Sequence, residues 1–344
     1  MTPSIVERKV LPLDDPIFKD CLNKDNDPQI LVKTDARLCI SGEDSNLKDL
    51  LEKHPELRIE SLKHGKDKKF IWSLVRTQRV GEFYEQGRLI REGGHASIYA
   101  GWDRRNGDRV VLKQMKPREG RTELRILGHL KECTKTVEPA LIQLCDSVDD
   151  TTLVFQAMED CTDLFDYIEE NDFLDEIKVR RIFGQIARAV AFLHDQGIVH
   201  RDIKDENVII ERGSLQCKLI DLGSAAFYRK PMDCNCGSSD SHTIFSTFHG
   251  TLDYMPPELI DPKEITTFNA PAQDIYALGV LLYTIAFREV PFHSIEEIKR
   301  GKLERIPFKR PCLDLIRRMI VGDPEARPTI EDVLQDPWLE APLG

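Results

Sequence analysis

The residues HRDIKDEN at positions 200–207 constrain this chain more strongly than any other feature of its sequence. They follow an apolar helical period that ends at Gly197, and they precede two short apolar runs at 208–210 and 218–220. Fourteen positions after Asn207 stands Asp221, in the triplet DLG. This order predicts two short strands whose rims carry charged and amide side chains.

The rest of the pattern predicts an α+β fold. Apolar residues between positions 179 and 193 recur at three- and four-residue steps, which predicts a helix, and later apolar runs have the same spacing. Asn106 and Gly107 form a typical hairpin turn. A strand-rich part up to about residue 160 is therefore followed by a helix-rich part. The predicted antiparallel strands lie at 89–90, 98–100, 109–112 and 153–155.

Four of the polar side chains have the chemistry needed to move a phosphoryl group. Phosphoryl transfer from ATP requires positioning, a metal that holds the phosphates and an acceptor for the hydroxyl proton. Asp202 suits the acceptor role, and Asn207 and Asp221 offer the oxygen ligands that Mg²⁺ prefers. Lys204 can neutralise charge on the transferred group. A chance match in a loop is the alternative, and the full string with the downstream DLG argues against it.

These residues resemble the catalytic loop of the eukaryotic protein kinases, and Lys204 is typical of their serine/threonine branch. The run DIKDEN, together with DLFD at 163–166, is similar to the PIM and PAS-domain kinase group of the calmodulin-dependent-like kinases. The resemblance covers about residues 84–340. It implies a bilobal protein-kinase fold, with an antiparallel-sheet N-lobe that has one main helix and a mostly helical C-lobe, and it implies ATP and Mg²⁺ as cofactors.

The resemblance also divides the chain. It implies a protein kinase domain over 83–340, with an N-lobe of about 83–157 and a C-lobe of about 159–340. Residues 1–82 contain no motif that indicates a function, so we treat them as an N-terminal extension of unknown role.

Two further catalytic residues follow from the resemblance. Lys113 matches the strand lysine that grips the α- and β-phosphates, and Glu123 matches its helix partner, with Glu119 as the alternative. Three structural residues follow as well. Asp274 would anchor the backbone of the catalytic loop, and Glu258 would pair with Arg327.

The loop that would cover the phosphates departs from the family pattern. Of the three glycines in GxGxxG only the middle one remains, and Arg91 and Ala96 replace the others. Because these side chains restrict the backbone, we expect weaker ATP binding or a stiffer loop. The residues that the resemblance implies for ATP binding are Ile90, Arg91, Glu92, Gly93, Gly94, Ala96, Ile98, Val111, Lys113, Gln156, Met158 and Ile209.

The resemblance implies protein substrates with basic residues upstream of the accepting Ser or Thr. The implied substrate-binding residues are Asp163, Asp166, Asp205, Glu206 and Thr251. The 38 residues from Asp221 through Glu258 form a long activation segment. Arg201, just before the catalytic Asp202, could receive a phosphate carried by this segment. Its candidate phosphorylation sites are Thr243, Ser246 and Thr247.

Two alternatives remain open from the sequence. A pseudokinase scaffold would keep the fold and bind partners without efficient turnover, and the altered glycine loop favours it. A zinc site at Cys234 and Cys236, with His242 and His249 nearby, is conceivable, although this spacing does not match a standard finger and a polar insert is the simpler interpretation.

Charge and cysteine content limit the remaining functions. The formal net charge is −11, and residues 1–82 carry fifteen acidic and fifteen basic side chains, so the whole excess lies in residues 83–344. This balance argues against a nucleic-acid partner and favours cationic ones.

Nine scattered cysteines indicate a reducing compartment. With no signal peptide or membrane span apparent, we expect a cytoplasmic or nuclear monomer that binds no membrane.

Overall fold

A computed structural model describes residues 29–33, 37–42, 51–53, 57–64, 70–76, 78–133, 138–229, 251–260, 269–303 and 306–341. The chain divides into two compact units. The first unit consists of Met1–Lys116 with Asp146–Ala157, and the second consists of Pro117–Cys145 with Met158–Gly344.

A four-stranded antiparallel sheet occupies part of the first eighty residues, where the sequence indicated no strands. Its strand order is β1-β2-β4-β3. Each run of apolar residues here is short, and long-range pairing such as that of Ile40 with Trp72 joins the runs. Pairing between residues so far apart leaves no local pattern in the sequence. The strands are β1 (Gln29–Lys33), β2 (Arg37–Gly42), β3 (Leu57–His64) and β4 (Phe70–Arg76).

A six-stranded sheet follows, in the order β5-β6-β7-β8-β10-β9. The β7–β8 hairpin turns at Gly107, whose φ of 80° lies in the left-handed region that glycine tolerates. Buried Tyr84, Val110, Leu112 and Val154 form a hydrophobic cluster. The strands are β5 (Gln78–Val80), β6 (Tyr84–Glu92), β7 (Ala96–Asp103), β8 (Arg109–Met115), β9 (Leu144–Ser147) and β10 (Thr152–Gln156).

The second unit is rich in helices. The predicted helix around 179–193 is α3, which begins after Asp175, whose side chain accepts from the Lys178 N–H at 2.8 Å, and is followed by Gly197 at φ 73°. The described helices are α1 (Pro117–Cys133), α2 (Leu164–Glu170), α3 (Glu176–Asp195), α4 (Pro257–Ile260), α5 (Ala270–Phe287), α6 (Ile295–Arg300), α7 (Leu313–Met319), α8 (Ile330–Leu334) and α9 (Pro337–Glu340).

The helix α5 forms the centre of this unit. Among the described residues it is the one helix that is long and apolar enough to cross a membrane, yet 94% of its length is buried inside the protein. The core helix of a folded protein can be equally long and apolar, so length and composition here do not indicate a membrane span. Asn269 caps its N-terminus and Arg288, at φ 62°, ends it.

Short strands of the second unit flank the polar residues 200–207. The sheet order β11-β13-β14 and the pair β12-β15 place these strands next to residues 200–207 and 221. The grouping of α1 with the second unit differs from the N-lobe limits given above, which included that helix. The strands are β11 (Cys161–Asp163), β12 (Ile198–Val199), β13 (Val208–Glu211), β14 (Cys217–Leu219) and β15 (Ala226–Phe227).

Candidate active site

Asp274 of α5 holds the backbone of the loop that follows β12. The Asp274 carboxylate accepts hydrogen bonds from the backbone N–H groups of His200 and Arg201, each at 2.8 Å. Its Oδ2 also lies 3.0 Å from Nε2 of His194. Asp274 is fully buried, and its bonds to the loop backbone are those expected of the predicted anchor. Burial alone would raise the pKa of Asp274, but the bonds from His194 and the loop hold it below its ordinary value.

Asn207 fixes the carboxylate of Asp202. Its Nδ2 donates to Oδ2 of Asp202 at 2.9 Å and to the Asp202 carbonyl at 2.8 Å. The Asp202 N–H donates to Nδ1 of His200 at 3.3 Å. The first bond orients the carboxylate and the other two hold the Asp202 backbone, and a fixed orientation is what a proton acceptor needs.

The ammonium group of Lys204 contacts oxygen atoms of three side chains. Its Nζ donates to Oγ1 of Thr251 at 2.8 Å and lies 3.1 Å from Oε2 of Glu206 and 3.6 Å from Oδ2 of Asp202. The Thr251 hydroxyl is also 3.5 Å from Oδ1 of Asp202. The ammonium group therefore stands beside the proposed proton acceptor, where it could stabilise negative charge on a transferred group.

Asp221 is brought to the same loop through the backbone. The Ile220 N–H donates to the Asn207 carbonyl at 2.9 Å, and the Ile220 carbonyl lies 3.1 Å from Nε2 of His200. The Asp221 side chain accepts from the Gly223 N–H at 3.2 Å. The structure thus places Asp202, Asn207 and Asp221 in one hydrogen-bonded region of the second unit.

Two residues of this region have a strained backbone. Arg201 has φ 69° and Asp221 has φ 63°, and they are two of the five non-glycine residues with positive φ in the described part of the chain. Such conformations cost about 1–3 kcal/mol each and persist where surrounding contacts enforce them. Their position at the candidate site supports a functional constraint.

Arg201 is largely occupied by the protein itself. Its Nε donates to the Ser224 carbonyl at 2.6 Å, and burial lowers the pKa of the guanidinium despite the nearby Asp274 charge. The candidate phosphorylation sites and Cys234 and Cys236 lie outside the described residues. The phosphorylation and zinc hypotheses therefore stay predictions.

Lys113 and Glu123 belong to different units. Lys113 lies in the middle of β8, paired across the sheet with Ile98 and Leu153, and is 7% exposed. Glu123 lies on α1 of the second unit and is 1% exposed. A charged side chain is buried this deeply only where polar partners compensate. The alternative partner, Glu119, is on the same helix, and its side chain lies outside the description.

Most of the residues proposed for ATP binding lie on the β6–β7 hairpin and β8 of the first unit. The hairpin closes with a bond from the Gly93 N–H to the Ala96 carbonyl at 2.9 Å, and residues 90–95 are exposed. The register of β6 shifts between Leu89 and Arg91, which marks a bulge beside the turn. Ile98 and Val111 are half-buried, Gln156 is exposed at the end of β10, and Met158 and Ile209 belong to the second unit.

The acidic residues proposed for substrate binding differ in their surroundings. Asp163 caps α2 by accepting from the Asp166 N–H at 2.9 Å, and Asp166 itself is exposed. Glu206 is half-buried and bonds Lys204. Asp205 is only 7% exposed, and this burial raises the pKa of its carboxyl. The structure therefore leaves Asp163, Asp166 and Glu206 better placed than Asp205 to meet a partner.

The oxygen groups present fit a magnesium ion bound together with phosphates. Asn207 uses its amide nitrogen to hold Asp202, so its amide oxygen is the atom suited to a metal, and Asp221 contributes a carboxylate. Within the described ranges no group of three or more His, Cys, Asp or Glu residues could hold a metal alone. Mg²⁺ usually takes one or two protein ligands and completes its shell with phosphate and water.

Comparison with known proteins identifies the family. The protein kinase domain family matches residues 84–339, which is most of the chain. The chain belongs to the protein kinase family. This confirms the predicted resemblance and the predicted α+β fold class of the kinases. The Glu258–Arg327 pair predicted from that resemblance is present, with two N–O distances of 2.7 Å.

Individual relatives are named serine/threonine kinases. The chain is 40% identical over 181 residues to "Serine/threonine-protein kinase PSK2" of Saccharomyces cerevisiae, covering 52% of this chain and 15% of that protein. It is 36% identical to the mouse (Mus musculus) "PAS domain-containing serine/threonine-protein kinase", covering 53% and 12%. It is 32% identical over 276 residues to "Serine/threonine-protein kinase pim-2" of Danio rerio, covering 74% and 84%. The chain thus spans only a small part of the first two relatives.

The sequence did not indicate one residue that supports the candidate site. His194 lies in the last turn of α3 and contacts Asp274, although its position within the apolar period gave no sign of this. A buried histidine in a core helix is identifiable only once its partner on another helix is known.

Proposed function

We propose that this protein transfers the γ-phosphoryl group of ATP to Ser or Thr side chains of protein substrates. The observation that carries the proposal is the Asp202 carboxylate, oriented by Asn207 and flanked by the Lys204 ammonium group. A carboxylate at this point would accept the proton of the attacking hydroxyl, and the ammonium group would stabilise charge on the phosphoryl oxygens.

The bound nucleotide would supply the phosphoryl group, held by Mg²⁺ at Asn207 and Asp221. Lys113 would bind the α- and β-phosphates. The names of the relatives support the Ser/Thr class of acceptor. In the same scheme Thr251, bonded to Lys204, would lie where the accepting hydroxyl arrives.

We further propose that the substrates carry basic residues upstream of the acceptor. The support is the exposed carboxylate of Asp166 and the half-buried carboxylates of Asp163 and Glu206. The net charge of −11 adds a weaker, long-range attraction for such peptides, and salt would reduce it.

The test is radiolabel transfer from ATP and Mg²⁺ to two Ser peptides, one with Arg residues before the serine and one with Glu residues there. Wild type should label the basic peptide faster, and Asp202→Asn should lower the rate by about 10²–10⁴-fold without a loss of folded structure. Equal labelling by both proteins would contradict the catalytic role. Nucleotide binding without labelling would instead support the pseudokinase alternative, which the altered glycine loop favours.

A further inference from the structure

Phe227 touches the helix that carries Glu123. The guanidinium carbon of Arg125 lies 5.6 Å from the centre of the Phe227 ring, and the His129 ring meets it edge-on at 5.1 Å and 87°. Arg125 and His129 are four residues apart, so they share one face of α1. Together the two contacts hold adjacent turns of the helix against one ring.

The backbone at Phe227 is itself fixed to the catalytic loop. Phe227 pairs with Ile198 in the β12–β15 ladder, two residues before His200. The next residue, Tyr228, donates through its N–H to the Gly197 carbonyl at 2.9 Å and through its hydroxyl to the His194 carbonyl at 2.9 Å. The ring therefore extends from a well-anchored strand and can act as a fixed support.

The helix α1 meets the same segment at a second point. A Cβ atom placed on Gly223 would lie 3.7 Å from Oε2 of Glu123, so this carboxylate reaches the turn that follows Asp221. Glu123 lies two and six residues from Arg125 and His129, and it therefore occupies a different face of the helix. Contacts on two faces fix both the position and the rotation of α1.

We propose that Phe227 is a positioning residue that holds α1 so that Glu123 stays beside the turn formed by residues 221–223. Phe227 is not one of the residues proposed to bind nucleotide or substrate. We expect it to act on the reaction through Glu123, whose helix must be correctly placed in an active protein kinase. The inference rests on the proposed function, because its kinetic effect requires phosphoryl transfer.

The test compares Phe227→Ala and Phe227→Leu with wild type in two measurements. The first is steady-state kinetics, in which both variants should lower kcat/KM for ATP, by about tenfold for Ala, while the KM for the basic peptide stays within about twofold. The second is amide hydrogen exchange, which should rise in residues 121–130 of α1 and stay unchanged in residues 275–285 of α5.

Two variants serve as controls. Phe227→Tyr keeps the ring and should restore wild-type kinetics. Phe173→Ala removes the same atoms from a ring that is 63% exposed in the link between α2 and α3, and it should leave kcat/KM for ATP unchanged.

The possible outcomes separate the two proposals. Unchanged kcat/KM for ATP in both Phe227→Ala and Phe227→Leu would overturn the positioning role, and so would a rise in exchange that affects α1 and α5 equally. If the wild type transfers no phosphate, the proposed function fails, and the exchange measurement still decides whether Phe227 holds α1.

Discussion

Asn207 donates its amide hydrogen to the carboxylate of Asp202 at 2.9 Å, and this bond gives one side chain two tasks. The amide nitrogen fixes the proposed proton acceptor, and the amide oxygen remains as a ligand suited to Mg²⁺. A substitution here should therefore affect both the metal dependence and the rate. The two effects are separable, because only one of them responds to the concentration of the metal.

Asn207→Ala should lower kcat at saturating Mg²⁺ and also raise the Mg²⁺ concentration that gives half-maximal activity. We expect a rate loss of about 10²-fold, because the carboxylate loses its orienting bond and the metal loses a ligand. The measurement is a titration of activity against Mg²⁺ at fixed ATP. A variant whose half-maximal Mg²⁺ concentration equals that of wild type would show that Asn207 serves Asp202 alone.

The hydroxyl of Thr251 is expected to position Lys204. Thr251→Ala removes the acceptor for Nζ, so kcat should fall by about tenfold, which corresponds to the loss of one charged hydrogen bond. Thr251→Ser keeps the hydroxyl and should retain most of the activity. The pair is compared in steady-state assays with a serine peptide. If Ala and Ser variants are equally active, the bond seen in the structure has no role in turnover.

Asp274 should be essential for stability as well as for the shape of the loop. The Asp274 carboxylate accepts three hydrogen bonds. In Asp274→Asn the amide NH2 group would face one or more of these N–H donors, which should lower the free energy of unfolding by about 2–4 kcal/mol. Because the pKa of Asp274 is lowered in the folded state, its contribution is present at neutral pH and is lost as the pH falls through that value. Urea unfolding at neutral pH measures the change.

The control for this change is Asp172→Asn, since the Asp172 side chain is fully exposed. It should shift the unfolding midpoint very little. Equal shifts for both variants would mean that the buried bonds of Asp274 contribute no more than a surface charge.

Arg91→Gly should lower the KM for ATP, because glycine restores the backbone freedom that a phosphate-covering loop needs. Arg91 lies at the bulge of β6, two residues before the bond between Gly93 and Ala96 that closes the hairpin. The measurement is the KM for ATP at saturating peptide, with Arg88→Gly on the same strand as the control. An unchanged or higher KM in Arg91→Gly would show that the absence of glycine at this position does not weaken ATP binding.

The local arrangement of residues 200–221 could be predicted from the sequence, whereas the strands of the first eighty residues could not. The residues 200–207 and Asp221 lie within one stretch of chain and act over short distances, so their order already specifies their neighbours. The sheet β1–β4 depends on partners such as Ile40 and Trp72 that are far apart in sequence. The contact of Phe227 with α1 likewise joins distant residues, and no local pattern indicated it.

His129 should make the protein less stable in mild acid. The residue is 8% exposed, and neither ring nitrogen has a hydrogen-bond partner among the residues that the structure describes. Burial therefore lowers the pKa of His129, and the nearby Glu132 opposes this only in part. Above the ordinary pKa of about 6.5 both folded and unfolded states are neutral, so the residue has no pH-dependent effect. Below it the unfolded chain binds a proton that the folded protein does not, so stability falls.

His129→Leu removes this proton-linked loss and keeps an apolar contact with Phe227. The melting temperature of the variant relative to wild type should therefore increase as the pH falls from about 8 to about 6, close to the ordinary histidine pKa. His293→Gln, at an exposed position before α6, serves as the control and should show no such trend. If the difference between His129→Leu and wild type is the same at both pH values, His129 is not a buried neutral histidine in solution.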